Sequence, residues 1–190
     1  MVSAYPTTLP LLIGELSSDN VMDNGGQFDT DELIEKLYLW DSPSISSYDS
    51  PYALWEGCYA AIASANMALE GIENLGSPAS LNPQRGEALV CRAYSHFLLA
   101  NVFCMPYNPN TAESHLGIPY RTRTGDSVYP ENTERGSLKN TYEQIAADLE
   151  AGLPLIKDAA YEVPKYHFNR KAANAFSCTV LSLLPKIGIR

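Results

Sequence analysis

Between Pro51 and Leu75, the residues Trp55, Cys58, Tyr59, Ile62, Asn66, Leu69 and Ile72 recur at steps of three and four. That is the period of an α-helix with one face turned to a core. Ser50 can cap this helix, with Pro51 at its first position. Gly76-Ser77-Pro78 breaks it, and a second helical pattern runs from Asn82, read as its cap, to about Cys104. This second stretch carries two apolar lines, Leu89, Ala93, Phe97, Ala100 and Val90, Tyr94, Leu98, Val102. A helix apolar on two faces is sandwiched between neighbours. So short a connection predicts that the two helices form an antiparallel hairpin.

The same reasoning predicts a third helix from Ser137, its cap, to about Ile156, with the stripe Leu138, Tyr142, Ile145, Leu149, Leu153 and Ile156. Asn169 can cap a fourth, carrying Ala172, Ala173 and Phe176. Upstream, 5–16 can hold one short helix starting near Pro6 or Pro10. Residues 29–39 can hold another, capped by Asp29 or Thr30, with Leu33, Leu37 and Trp40 at helical spacing. Small residues (Ala60, Ala61, Ala88, Ala93, Ala172, Ala173) stand where helices can approach closely. No strand-rich or βαβ pattern occurs. The expected fold class is all-α, a tetratricopeptide-like helical-repeat scaffold with long loops. The longest loop, 105–136, is punctuated by Pro106, Pro109, Gly117, Pro119, Gly125 and Pro130, and a loop of that length is functional or packed by its own side chains.

Composition excludes several function classes. The formal net charge is −9, which disfavours a nucleic-acid partner, and the scattered Lys and Arg offer no run for an anionic membrane surface. The four cysteines (Cys58, Cys91, Cys104, Cys178) form no CxxC pair and lie far in sequence from His96, His115 and His167, so no zinc site and no cofactor are expected. Phosphate-loop, dinucleotide, zinc-protease and nucleophile-elbow motifs are absent. Paired carboxylates such as Asp29/Asp31/Glu32 and Glu131/Glu134 read as solvated surface rather than a glycosidase pair. The 19–26 stretch resembles a calcium loop in its oxygen ligands but lacks the alternating pattern and terminal Glu, and an Asx-type turn accounts for it.

Aromatic residues carry the remaining signal, because Tyr and Trp rings stack on sugar rings as readily as they pack a core. Trp40, Tyr48 and Tyr52 lie in or beside a polar loop and are the candidate ligand-binding residues, Trp40 first. Trp55 and Tyr59 fall on the apolar stripe and read as core. Tyr107, Tyr120 and Tyr129 in the long loop fit either role.

Four stretches together resemble the SusD/RagB family. They are 54–66 (L-W-E-G-C-Y-A-A-I-A-S-A-N), 86–97 (G-E-A-L-V-C-R-A-Y-S-H-F), 117–120 (G-I-P-Y) and 141–150 (T-Y-E-Q-I-A-A-D-L-E). Their order and spacing both fit. The resemblance implies an incomplete SusD-like fold over 1–176 and a role in nutrient uptake rather than catalysis. Members bind glycans or other nutrients on the outer face of the outer membrane in Bacteroidetes-type bacteria. They are lipid-anchored and act as lids on a TonB-dependent, SusC-like transporter. The other reading is a helical scaffold that binds such a protein partner without sugar. Within the motifs, Trp55, Asn66, Glu87, Arg92, Tyr142 and Asp148 are expected to be scaffold. Glu87 and Arg92, five apart, do not share a helix face, so each should bond to neighbouring helices or loop backbone. Asn66 on a buried stripe needs partners for its amide.

The chain departs from the family at both ends. Its first residues resemble the interior of a longer protein, so Met1 is expected not to be the natural start, and the lipid anchor is expected outside this sequence. After Phe176 the family continues with an A-R-F-Y-L-Y-like helix, where this chain reads 178–185 as C-T-V-L-S-L-L-P. One allowed codon string for this segment, TGC ACG GTT TTA TCT CTA TTG CCA, reads A-R-F-Y-L-Y-C when shifted by one base. Residues 177–190 are therefore expected to be an atypical, frame-shifted tail with no evolved packing role, Pro185 ending the fourth helix early. Uncovered apolar helix faces would then favour aggregation.

Overall fold

The computed structural model describes residues 11–25, 32–42, 50–125 and 134–184. Among them it is all-α, the sole β feature being an isolated bridge between Leu116 and Ser137. Six α-helices follow in order: α1 Leu11–Leu16, α2 Glu32–Tyr38, α3 Pro51–Asn74, α4 Asn82–Phe103, α5 Leu138–Gly152 and α6 Arg170–Leu183. Four short 3-10 turns lie between them, at Ala79–Leu81, Leu153–Leu155, Asp158–Ala160 and Pro164–Tyr166. The expected caps Asp29 and Thr30, and the prolines Pro6, Pro10, Pro43, Pro130 and Pro185, lie outside the described residues. The chain divides into two units, with the boundary inside α3 between Ala60 and Ala61.

In the first unit α1 packs on α2, and Ser17 Oγ donates to the Leu37 carbonyl (3.0 Å). Leu33 and Leu37 are buried, as their spacing predicts, but Trp40 leaves the stripe. Helix α2 ends in paired reverse bonds, Asp41 N to Lys36 O (2.8 Å) and Trp40 N to Leu37 O (3.3 Å). This turn forces Trp40 into the left-handed region at φ 57°, a place that glycine usually takes. At the start of α3, Ser50 Oγ accepts from Ala53 N (3.1 Å), the cap its sequence suggests. Leu54 and Cys58 are buried, and burial pushes the Cys58 thiol up to about 11.

In the second unit, helices α4, α5 and α6 and the 3-10 turn after α5 pack together. Their crossing relies on two glycines. A Cβ on Gly86 would sit 2.7 Å from the Gly152 carbonyl, and one on Gly152 would sit 2.9 Å from the Gly86 carbonyl. Backbone therefore meets backbone, a closer approach than alanine permits. Of the small residues expected at such contacts, Ala61, Ala88, Ala93 and Ala173 are buried, whereas Ala60 and Ala172 are exposed. Rings from three helices fill the gap beside this crossing: Phe176 of α6 meets Tyr94 (5.2 Å) and Phe97 (5.3 Å) edge-on, and Phe97 meets Tyr142 of α5 (6.2 Å).

Two sequence expectations are corrected. Asn82 is the first residue of α4 rather than its cap, because the 3-10 turn Ala79–Leu81 runs straight into the helix and leaves Leu81 at the cap with no side-chain bond. Helix α5 stops at Gly152, and Pro154 tightens the next turn to 3-10, so Leu153 and Ile156 belong to the exit rather than to the helix. Helix α4 packs most extensively against α5. Part of the long loop, residues 117–125, bonds to both α3 and α4, and Asn66 of α3 is also bonded directly to Arg92 of α4.

Caps at Ser137 (from Asn140 N, 3.2 Å) and Asn169 (from Ala172 N, 3.0 Å) match the sequence reading. Helix α6 crosses Ser177 without a break to Leu183 and buries Ser177, Val180 and Leu184. Ala173, Phe176 and Val180 keep helical spacing and are buried.

Candidate functional site

The four stretches that carry the family resemblance meet in one buried network in the second unit. Arg92 of α4 forms a two-pronged ion pair with Asp148 of α5, Nη2 to Oδ1 at 2.6 Å and Nε to Oδ2 at 2.7 Å. Its Nη1 donates to Asn66 Oδ1 on α3 (2.9 Å) and to the Thr122 carbonyl (3.1 Å). The Tyr120 hydroxyl donates to Asp148 Oδ2 (2.7 Å). The Asn66 amide donates in turn to the Arg121 carbonyl (3.2 Å). Asn66, Arg92 and Asp148 are all buried.

The electrostatics follow from this geometry. Burial works against the Arg92 charge, but the Asp148 carboxylate outweighs it and holds the guanidinium pKa above its ordinary value. Burial, and then the same carboxylate, raise the Tyr120 hydroxyl well above the usual phenol range. His96, stacked on Tyr120 with ring centres 3.7 Å apart, accepts from Arg121 N at Nε2 (3.0 Å). Its Nδ1 must then carry the proton and donate to the Arg92 carbonyl (2.9 Å). Burial pushes this imidazole down to about 3, so it is neutral at ordinary pH. The sequence reading did not single out His96. The only available signal was its place one turn after Arg92 on a helix apolar on two faces.

The 117–125 segment is thus a strap across three helices. Ile118 N donates to Thr141 Oγ1 on α5 (3.3 Å), and Thr124 N donates to Glu70 on α3 (2.7 Å), with its hydroxyl on the same carboxylate. These hydrogen bonds hold the Glu70 carboxyl below its usual range. A Cβ on Gly117 would press on the Ser137 carbonyl at 2.7 Å, so the strap enters against the first turn of α5.

Glu87 stands apart from this network. It pairs with His167 Nδ1 (2.9 Å) and accepts from Phe168 N (3.2 Å), tying the segment before α6 to α4. Tyr142 is buried against Tyr107 (4.7 Å), and Trp55 lies half-buried against Tyr59 (5.0 Å).

Of the candidate ligand-binding residues, Trp40 is 78% and Tyr52 56% exposed, while Tyr48 and Tyr129 lie outside the described residues. Glu56, one turn on, accepts from the Tyr52 hydroxyl and raises its pKa. Asp29, Asp31 and Glu131 are also outside the described residues, and Glu32 is paired with Lys36 (2.8 Å) on the surface. In the 19–25 stretch, Asp23 Oδ1 accepts from Gly25 N (2.8 Å), an Asx turn. Among the described residues no three His, Cys, Asp or Glu side chains gather as a metal site, and no helix is long and apolar enough to cross a membrane.

Comparison with known proteins agrees with this architecture. A SusD-superfamily protein from Bacteroides thetaiotaomicron VPI-5482 superimposes with a TM-score of 0.71 at 22% identity, covering 96% of this chain and 39% of that one. A protein from Bacteroides vulgatus ATCC 8482, assigned to sugar binding, superimposes with a TM-score of 0.64 at 22% identity, covering 78% of this chain and 32% of that one. The chain therefore spans between about a third and two-fifths of the length of these relatives. No curated protein matches it. The SusD-like family model, described as starch-binding and associating with the outer membrane, matches residues 14–181, and the chain belongs to that family.

Proposed function

We propose that this chain is the helical part of a glycan-capturing protein of the outer membrane, which binds its ligand without cleaving it. A TonB-dependent, SusC-like transporter is the protein partner in this reading, and a lipid anchor in a longer chain holds the protein on the outer face. Asn66, Arg92, Asp148, Glu87, Tyr142 and Trp55 serve as scaffold. The family match over 14–181 carries the reading. The exposed Trp40 ring supplies a face suited to a sugar. Its left-handed backbone, which costs a bulky residue roughly 1–2 kcal/mol, is explained if the ring is kept for binding.

Affinity electrophoresis through gels containing soluble starch and other polysaccharides tests this reading. The chain should be retarded by at least one of them. Trp40→Gly is a clean deletion of the ring, because glycine fits φ 57° without strain, and it should migrate faster than the parent. Equal migration of the parent in every gel defeats glycan capture. Release of reducing sugar from the same polysaccharides defeats the non-enzymatic reading.

A further inference from the structure

A cleft of about 250 Å³ lies between the second half of α3, the first half of α4 and the strap. Leu69 and Ile72 of α3 and Leu89 of α4 give it aliphatic lining, and Thr122 and Arg123 of the strap form one wall. That wall is held in place by two other lining residues, since Arg92 holds the Thr122 carbonyl and Glu70 holds Thr124. The concavity is therefore built before any ligand arrives. Around it stand Glu70, Glu73, Ser77, Arg85 and Arg123. Glu70 is taken up by Thr124, but Arg85 has no ion-pair partner among the described residues, and Arg123 reaches Glu73 only at 3.9 Å, with both side chains largely exposed.

The mixed signs select the ligand class. A simple anion placed here meets Glu70 and Glu73, and a simple cation meets Arg85 and Arg123. A neutral polyol satisfies both, because every hydroxyl donates and accepts. The aliphatic lining suits the C–H face of a sugar ring. The volume falls below the roughly 300–1,000 Å³ of sites that enclose a drug-sized ligand, so a single ring fits rather than a length of chain. We propose that this cleft is a second saccharide subsite that takes one ring at the end of a glycan chain. The proposal rests on the glycan-capture reading above.

Maltotriose, a starch fragment, is titrated into the ¹⁵N-labelled 190-residue chain while backbone amide shifts are followed. The expected result is a saturable shift of the amides of Glu73, Ser77, Arg85 and Arg123. Arg85→Ala and Glu73→Ala, both at exposed side chains outside the buried Arg92–Asp148 network, should each weaken that response at least fivefold. Trp40→Gly should leave it within twofold. Shifts confined to the region of Trp40 and Tyr52 overturn the cleft and leave glycan capture standing. An unchanged affinity in both cleft variants overturns it equally. Cleft shifts with glycylglycine but none with maltotriose reassign the site to a zwitterion and overturn the saccharide proposal. Absence of any shift also overturns it, while the polysaccharide gels decide the broader reading independently.

Discussion

Arg92 carries a full charge at a position 7% exposed, and it does so because each side of its guanidinium meets an acceptor. A buried pair of this kind adds little net stability over a hydrophobic replacement, but removing one member strands the other. Arg92→Ala should therefore cost about 3–5 kcal/mol in urea unfolding followed by circular dichroism. The double change Arg92→Met with Asp148→Leu should cost less than Arg92→Ala alone. A double variant worse than the single one would show that the network contributes net energy rather than specificity. His96 gives a second residue-scale prediction. Its folded pKa, near 3, lies below the ordinary 6.5, so the unfolded chain takes up a proton that the native chain refuses. The contribution of His96 is thus complete above pH 6.5 and drains as pH falls toward 3, at a limiting slope of about 1.4 kcal/mol per pH unit. Unfolding free energies from urea titrations at about pH 7, 6 and 5 for the parent and His96→Gln should diverge, approaching that slope at the acid end, the parent falling faster. Parallel curves would mean that the imidazole titrates normally.

Between elements, the decisive contact is the α4–α5 crossing, where Gly86 and Gly152 face one another. On helix propensity alone Gly86→Ala should stabilise by roughly 0.5–1 kcal/mol. The new methyl, however, would lie 2.7 Å from the Gly152 carbonyl and 2.8 Å from Leu155 Cβ, and neither is the free end of a flexible side chain. Overpacking of this kind costs about 1–3 kcal/mol, so the net change in melting should be destabilising. The control is Gly71→Ala, at an exposed position of α3 where an added Cβ would meet nothing within 4 Å, and it should stabilise instead. The element scale is also where sequence was most legible. Ser50, Ser137 and Asn169 cap the helices they precede, since a cap is a local bond between neighbours in the chain. Asn82 failed as a cap because a 3-10 turn that nothing in its composition announces had already filled the position. The glycine crossing was equally hidden: Gly86 stood in a recognised stretch, but its need for a missing side chain is defined by α5, dozens of residues away.

At the scale of the whole chain, the family resemblance was readable while the reason for it was not. Asn66, Arg92, Tyr120 and Asp148 lie in four separate stretches, and no periodicity links them; only the fold brings them onto one carboxylate and one guanidinium. The candidate ligand-binding rings were easier to name from their polar surroundings, and Trp40 and Tyr52 are indeed exposed. The cleft escaped notice because its residues look like ordinary solvated charges until the strap supplies a wall. That strap has no regular secondary structure, yet Arg121 N, Ile118 N and Thr124 N are each spent on a side chain of a different helix. Loop amides normally exchange with solvent at the low-stability end of a protein. Here the Arg121 amide is closed by a buried imidazole and the adjoining carbonyls by Asn66 and Arg92, so opening the strap means breaking the hub. Hydrogen exchange should find Arg121 protected at the level of the central residues of α4 and α5, and Thr124, held only by the more accessible Glu70, protected less. In Asn66→Ala, which removes one anchor without stranding a charge, Arg121 protection should fall at least tenfold while α5 keeps its own. If α4 and α5 lose protection together with the strap, the two are a single cooperative unit and the strap is not a separately closed element; if Arg121 exchanges freely in the parent, the hub does not hold it at all.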